Sequence, residues 1–210
     1  MKRALKESSL YGYAVPVVAG LWRLRGSPLP PPHAVKERAV REYAARFRLR
    51  VLVETGTWLG DMVARTRHAF DRVYTIELDD ALWRRARSRF AGDRRVTLLH
   101  GDSAQVLPGV LASLQEPALF WLDGHYSGGP TARGSLSTPI SAELRHILAH
   151  PVRRHVILID DARCFTGEDD YPALAELERR LRAERPDYAW SVKDDIIRYH
   201  PATAGGRAAG

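Results

Sequence analysis

The feature that most constrains the fold is a regular alternation between short apolar, β-branched runs and segments with helical periodicity. Five strands are predicted at residues 50–54, 72–77, 96–100, 119–123 and 156–160, with helices between them at 61–70, 81–90, 104–114 and 140–150. Strands joined by helices need crossover connections, which produce a parallel sheet covered on both faces. The uninterrupted apolar runs at 51–53 and 156–159 are typical of the central strands of such a sheet.

The pattern changes near the C-terminus. After a predicted helix at 172–185, two strand-like runs at 188–193 and 196–200 are separated only by Asp194 and Asp195. Consecutive strands joined by so short a break must be antiparallel. The predicted fold is therefore a doubly wound, Rossmann-like α/β domain, with a seven-stranded sheet that is mostly parallel and has an antiparallel C-terminal strand.

A proline-rich run at residues 27–32 separates the N-terminal part of the chain from the alternating pattern. We therefore expect an N-terminal extension and linker at 1–33, able to serve as a lid, a single domain at 34–203, and a disordered tail at 204–210. The extension has a basic start and an apolar run at 13–22, but Pro16, Gly20 and the absence of a cleavage motif favour a packed helix over a targeting segment.

The cysteine count, the net charge and the length of the apolar run limit the expected location and binding partners. Cys164 is the only cysteine, so no intrachain disulfide can form and a reducing cytoplasm is the expected location. The net charge of +7 would suit a polyanion, but the arginines are dispersed among acidic residues, so nucleic acid is not the expected partner. The apolar N-terminal run is too short to span a membrane. A homodimer is compatible with the sequence, which does not otherwise indicate the oligomeric state.

Ligands of doubly wound sheets bind outside the carboxyl ends of the strands, and the first four predicted strands all end in polar or glycine-rich sequence. The first turn contains Glu54, Gly56, Thr57 and Gly60. It is not a dinucleotide fingerprint, because Trp58 and Leu59 stand where a pyrophosphate needs close backbone approach. A carboxylate at Glu54 would also repel phosphate and would suit a cationic ligand.

Two further carboxylates follow the next strands. Glu77 ends the second strand, where it can accept hydrogen bonds from both hydroxyls of a ribose. Asp102 ends the third strand and suits an adenine amino group, while Ser103 beside it, like Thr138, is a candidate N-cap. We expect loss of Glu77 to weaken ligand binding about 10- to 100-fold without unfolding the domain.

Together, Glu54-x-Gly56-x-x-x-Gly60, Glu77 and Gly101-Asp102-Ser103 resemble motifs I, II and III of class I S-adenosylmethionine (SAM) dependent methyltransferases. The resemblance covers roughly residues 34–200. It implies SAM as cofactor and a cofactor site that comprises Glu54, Gly56, Thr57, Gly60, Glu77, Asp102, Ser103 and Asp123.

The ends of strands four and five extend the resemblance. Asp123-Gly124-His125 and Asp160-Asp161 are similar to the macrocin O-methyltransferase type, which acts on hydroxyls of sugar-containing natural products. This implies a small-molecule acceptor, with Asp123, Asp160 and Asp161 as Mg²⁺ ligands. His125 replaces the second Asp of the family pattern, so the catalytic base is either Asp123 or His125, and a softer ion such as Mn²⁺ stays open.

The segment after strand four, from Ser127 to Thr138, is rich in glycine and is predicted to be either a mobile lid, with Arg133 reaching an acidic group, or a plain loop. Other functions also stay open. They are methylation of RNA or protein, aminopropyl transfer or cyclisation of SAM, and SAM binding without catalysis.

Overall fold

A single seven-stranded sheet forms the centre of the molecule, in a computed structural model that describes residues 10–124 and 138–202, with side chains from residue 17 onward. The strands are β1 Val51–Thr55, β2 Arg72–Glu77, β3 Val96–His100, β4 Leu119–Leu122, β5 Val156–Ile159, β6 Tyr188–Lys193 and β7 Ile196–Pro201. The helices are α1 Leu10–Leu24, α2 His33–Phe47, α3 Asp61–Thr66, α4 Asp80–Arg89, α5 Ser103–Ala112, α6 Ile140–Ala149 and α7 Leu174–Glu184.

The strand order is β3-β2-β1-β4-β5-β7-β6, and the first five of these strands are mutually parallel. Apolar side chains alternate between the faces of the central strands, as the period of two requires. Helices α5, α6 and α7 pack on one face around Phe120 and Ile157. Helices α2, α3 and α4 pack on the other face around Leu52 and Trp121. The predicted doubly wound architecture is confirmed.

An antiparallel hairpin closes the sheet. Strands β6 and β7 are joined at Asp194 and Asp195, whose φ angles of 53° and 59° are those of a type I′ turn. Strand β7 then pairs antiparallel with β5. Aspartate tolerates the left-handed conformation better than most residues, which explains how two acidic residues make this turn.

The structure corrects several predicted boundaries. Strands β4 and β5 end one residue earlier than predicted, at Leu122 and Ile159, so the aspartates that follow lie beyond the last ladder position. Helix α3 ends at Thr66 and continues as a short 3₁₀ segment, Arg67–Ala69.

The prediction of Ser103 as an N-cap is wrong. Asp102 has the extended backbone of a cap, and its side chain accepts a hydrogen bond from the Ala104 N–H at 2.9 Å. Pro139 likewise precedes α6 as its cap residue, although the Thr138 hydroxyl accepts from the Ile140 N–H at 3.3 Å.

The N-terminal extension contains helix α1, which packs on α2 through a small cluster of Ala19, Trp22 and Val35. The Trp22 indole N–H donates to the Pro28 carbonyl at 2.8 Å, so the linker folds back against the helix. None of the helices in the described part of the chain combines the length and the apolar character needed to cross a bilayer. The predicted tail at 204–210 lies outside the described residues.

Candidate functional site

The glycine turn after β1 touches the backbone that follows β4. Gly56 has a φ of +82°, and a Cβ built on it would lie 2.4 Å from the Asp123 carbonyl oxygen. The N–H groups of Gly56 and Thr57 also donate to the Ile76 carbonyl, at 3.0 and 3.2 Å, so the turn is anchored to β2. Only glycine fits a position that needs both a left-handed backbone and contact with a second chain segment.

Gly56→Ala is therefore expected to destabilise the protein by about 2–4 kcal/mol, because neither strain nor overlap can be relieved without moving β4. The matched control is Gly109→Ala in α5, where a Cβ meets nothing within 4 Å and φ is not positive. In that exposed helical position alanine should stabilise by about 0.5–1 kcal/mol. Urea unfolding of both variants measures the contrast. Equal stabilities would show that the turn can move away from β4.

Glu77 holds the glycine turn from the end of β2. One carboxylate oxygen accepts from the Trp58 N–H at 2.7 Å and the other from the Asp79 N–H at 2.9 Å. Burial raises the pKa of Glu77, and these two backbone donors oppose the rise. Because a carboxylate oxygen can accept more than one hydrogen bond, Glu77 keeps capacity for the hydroxyls of a ligand.

Glu54 lies beneath the turn and is 1% exposed. Its register partner on β2 is Thr75, whose hydroxyl donates to the Glu54 carboxylate. The Thr57 and Thr75 hydroxyls are hydrogen-bonded at 2.5 Å, and Thr57 is 4% exposed. Burial raises the pKa of Glu54 to about 8, against the Thr75 hydrogen bond. The Thr57 side chain thus links the glycine turn to Thr75 and, through it, to Glu54.

Glu143 was not among the residues predicted from the sequence. It is 1% exposed on α6, and its carboxyl accepts a hydrogen bond from the Ser103 hydroxyl at 2.6 Å. Burial raises its pKa to about 7, opposed by the Ser103 hydrogen bond. The sequence pattern could have indicated its burial, because Glu143 lies on the same helical face as the apolar residues Ile140, Leu144 and Ile147.

The three aspartates after β4 and β5 meet as predicted. Asp123, Asp160 and Asp161 each offer an oxygen, and these oxygens lie within 4.8 Å of one another. Carboxylate oxygens are the ligands that a hard divalent ion takes, so the donor types and spacing fit Mg²⁺. Asp161 adopts a left-handed backbone, φ 54°, which turns the chain sharply at this point.

Two basic side chains contact the same aspartates. The Lys36 ammonium, from α2, forms an ion pair with Asp160 and lies 3.4 Å from Asp161. The Arg163 guanidinium donates to Asp161 at 2.8 Å and also pairs with Asp195. Burial alone would lower the pKa of Lys36, but the carboxylates of Asp160, Asp123 and Asp161 outweigh it and raise that pKa. Lys36 therefore keeps its positive charge at neutral pH, while burial and Asp123 raise the pKa of Asp160 and Lys36 opposes that rise.

A small pocket opens beside the cluster, between the strand ends, the start of α6 and the segment after β5. Its empty volume, which includes space open to solvent, is about 220 Å³, and it combines acidic groups with apolar and aromatic walls. Its lining residues are Leu122, Asp123, Gly124, Thr138, Ile140, Glu143, Ile159, Asp160, Phe165 and Tyr171.

The structure therefore brings most of the predicted residues to one edge of the sheet. Gly60 adopts a φ of +73°, and a Cβ there would lie 2.8 Å from the Phe90 ring, so its role is to let the turn pack on α4. His125 and Arg133, with the predicted lid at 128–137, lie outside the described residues.

No protein-family model matches the sequence, and no curated protein matches it significantly. Solved structures do resemble the fold. The SAM-bound O-methyltransferase TomG of Streptomyces achromogenes, involved in tomaymycin synthesis, is 18% identical with a TM-score of 0.60, covering 91% of this chain and 90% of its own. The SAH-bound O-methyltransferase of Bacillus cereus is 16% identical with a TM-score of 0.59, covering 90% and 91%.

A third similar structure is the SAH-bound methyltransferase PaMTH1 of Podospora anserina, 18% identical with a TM-score of 0.58, covering 90% of this chain and 88% of its own. These structures share the seven-stranded sheet with antiparallel C-terminal strands. The chain thus has the Rossmann-like fold of class I methyltransferases.

Proposed function

We propose that the protein binds SAM and transfers its methyl group to a hydroxyl of a small molecule of sugar or natural-product type. The observation that carries this proposal is that acidic residues gather at one edge of a chain that is basic overall. The chain has a net charge of +7, yet the ligand edge of the sheet gathers carboxyl groups from Glu54, Glu77, Asp102, Asp123 and Glu143. A cation that binds at such an edge favours the ionised form of its carboxyl groups, and SAM carries a sulfonium and an ammonium.

Each part of the cofactor has a matching group. The turn around Gly56 brings the backbone close to a ligand without a side chain in the way. Glu77 would accept from the ribose hydroxyls, and the second oxygen of Asp102 would accept from the adenine amino group. Glu54 and Asp123 would face the positive charges of the methionine portion. Two proteins of similar fold bind SAM or SAH, which supports SAM as the ligand proposed here.

The main task of the protein in methyl transfer is to align the acceptor oxygen with the methyl group, because the sulfonium is already an activated leaving group. The acceptor oxygen would attack the methyl carbon in line with the breaking C–S bond, whose electron pair passes to sulfur. The acceptor proton would pass to Asp123 or to His125. The pocket beside Asp123 and Asp160 is the proposed acceptor site, with Phe165 and Tyr171 as its aromatic walls.

Two groups could supply positive charge at the acceptor pocket. One is the Lys36 ammonium, and the other is a bound Mg²⁺, for which Asp123, Asp160 and Asp161 offer closely spaced carboxylate oxygens. These three residues would hold the ion. When bound, it would polarise the acceptor hydroxyl and ease loss of its proton.

The same charge pattern argues against a nucleic-acid acceptor, since an acidic edge repels a phosphate backbone. Aminopropyl transfer or cyclisation of SAM would need no acceptor hydroxyl, so product analysis separates these reactions from methylation.

The test is incubation with SAM labelled in its methyl group and a panel of hydroxylated sugars and glycosides. Labelled, alkali-stable product is expected, because methyl ethers resist hydrolysis. Calorimetric titration with SAM and SAH accompanies the assay. A protein that binds neither ligand contradicts the proposal, and label that leaves only as methylthioadenosine favours the alternative chemistry on SAM.

A further inference from the structure

The charge at the acceptor end is already partly balanced by the chain itself. Lys36 pairs with Asp160, whose side chain is fully buried, while the lysine side chain is 15% exposed. Arg163 pairs with Asp161 on its other side. Asp160 and Asp161 thus each have a cationic partner. A dication entering the cluster would lie beside an ammonium and would be repelled by it.

Helix α2 holds Lys36 firmly in this position. The next residue, Glu37, is fully buried and forms an ion pair of 2.6 Å with Arg65 of α3. Val35 and Val40 are buried on the same helix, in contact with α1 and with the sheet core. The backbone of Lys36 is therefore held where its side chain reaches Asp160, and only 15% of that side chain is exposed.

The ammonium also has donor capacity to spare. It carries three N–H donors, and the structure places two carboxylates within reach of them, Asp160 and Asp161. A third donor can serve an acceptor oxygen near Asp160. This single group can therefore hold Asp160 in place and supply the positive charge that a metal would bring.

We propose that Lys36 is the resident cation of the Asp123, Asp160 and Asp161 cluster, and that it positions Asp160 at the acceptor pocket so that no divalent metal is required. The role in catalysis rests on the proposed methyltransferase function. The balancing of the carboxylate charges by Lys36 does not depend on that function, so it can be tested without knowing the acceptor.

The experiment is a titration of the purified, chelator-treated full chain with Mn²⁺, following free Mn²⁺ by electron paramagnetic resonance. Lys36→Met removes the charge and keeps the length of the side chain, and it should bind Mn²⁺ about tenfold or more tighter than the natural protein. Lys36→Arg should bind as weakly as the natural protein. Arg38→Met is the matched control, because it removes an exposed positive charge from the same helix two residues away.

Equal Mn²⁺ affinity for the natural protein and Lys36→Met would overturn the proposal, as would tight one-to-one binding by the natural protein. If Lys36→Met does not fold, the proposal is tested with the double variant Lys36→Met, Asp160→Asn. It removes both charges of the pair and also one candidate Mn²⁺ ligand, so only its folding is compared. Recovery of folding supports the role of Lys36 in balancing Asp160, and failure to fold overturns the proposal. Loss of SAM binding by every form, the natural protein included, would refute the proposed function and leave the Mn²⁺ comparison valid.

Discussion

Glu54→Gln is expected to make the free protein more stable at alkaline pH and to weaken its binding of SAM. The Glu54 pKa is raised from 4.5 to about 8 by burial, so the folded protein keeps a proton on Glu54 that the unfolded chain has lost. The contribution of Glu54 to the free energy of unfolding is fully present below pH 4.5 and is lost as the pH rises to about 8. Glutamine does not titrate, so the variant should gain roughly a few kcal/mol over the natural protein across that window.

Urea unfolding at pH 5 and pH 8.5 measures this gain. Other groups that titrate in the window, including Glu143, cancel in the difference between variant and natural protein. Glu116→Gln is the control, since it changes a half-exposed carboxyl paired with Arg72 at the surface. A stability difference that is the same at both pH values would show that Glu54 is ionised in the free protein.

Glu54→Gln should weaken SAM binding, although it stabilises the free protein. A carboxylate facing the SAM ammonium contributes about 1.5–3 kcal/mol, so Glu54→Gln should weaken SAM about 10- to 100-fold. Methylthioadenosine lacks the amino-acid portion, and its affinity should be unchanged. In the natural protein at pH 7, SAM binding should release close to one proton, seen by calorimetry in buffers of different ionisation enthalpy. Equal losses for both ligands would remove Glu54 from the ammonium site.

Glu77→Ala is expected to weaken SAM, SAH and methylthioadenosine together, about 10- to 100-fold, because all three carry the ribose. The structure adds a cost that the sequence did not indicate. Without the carboxylate, the N–H groups of Trp58 and Asp79 lose their acceptor, and the glycine turn loses its link to the end of β2. A destabilisation of about 1–3 kcal/mol should accompany the loss of binding.

Calorimetry with the three ligands and urea unfolding test both parts, again with Glu116→Gln as the surface control. Unchanged affinity for all three ligands would show that Glu77 serves only the turn. Unchanged stability with weakened binding would show that the turn is held by its contacts with β2 and β4.

Local patterns were enough to predict the strands, the parallel sheet and its closing hairpin. Period-two and period-3.6 repeats report burial directly, and a short break between strands forces an antiparallel pair. The gathering of Glu54, Glu77, Asp102, Asp123 and Asp160 at one edge also follows from the sequence, because the ends of parallel strands meet. Which neighbouring residue caps a helix did not follow, since Asp102 and Ser103 are both good caps and only the backbone angles distinguish them.

The sequence by itself thus determined the architecture and the acidic character of the ligand edge. Only the tertiary structure decided which charges meet there. Lys36 reaches Asp160 across 124 positions of sequence, and Ser103 reaches Glu143 across 40. Such pairs leave no local periodicity, because each partner is placed by the packing of its own helix. The cation that balances the acidic cluster is therefore visible only once α2 has docked on the sheet.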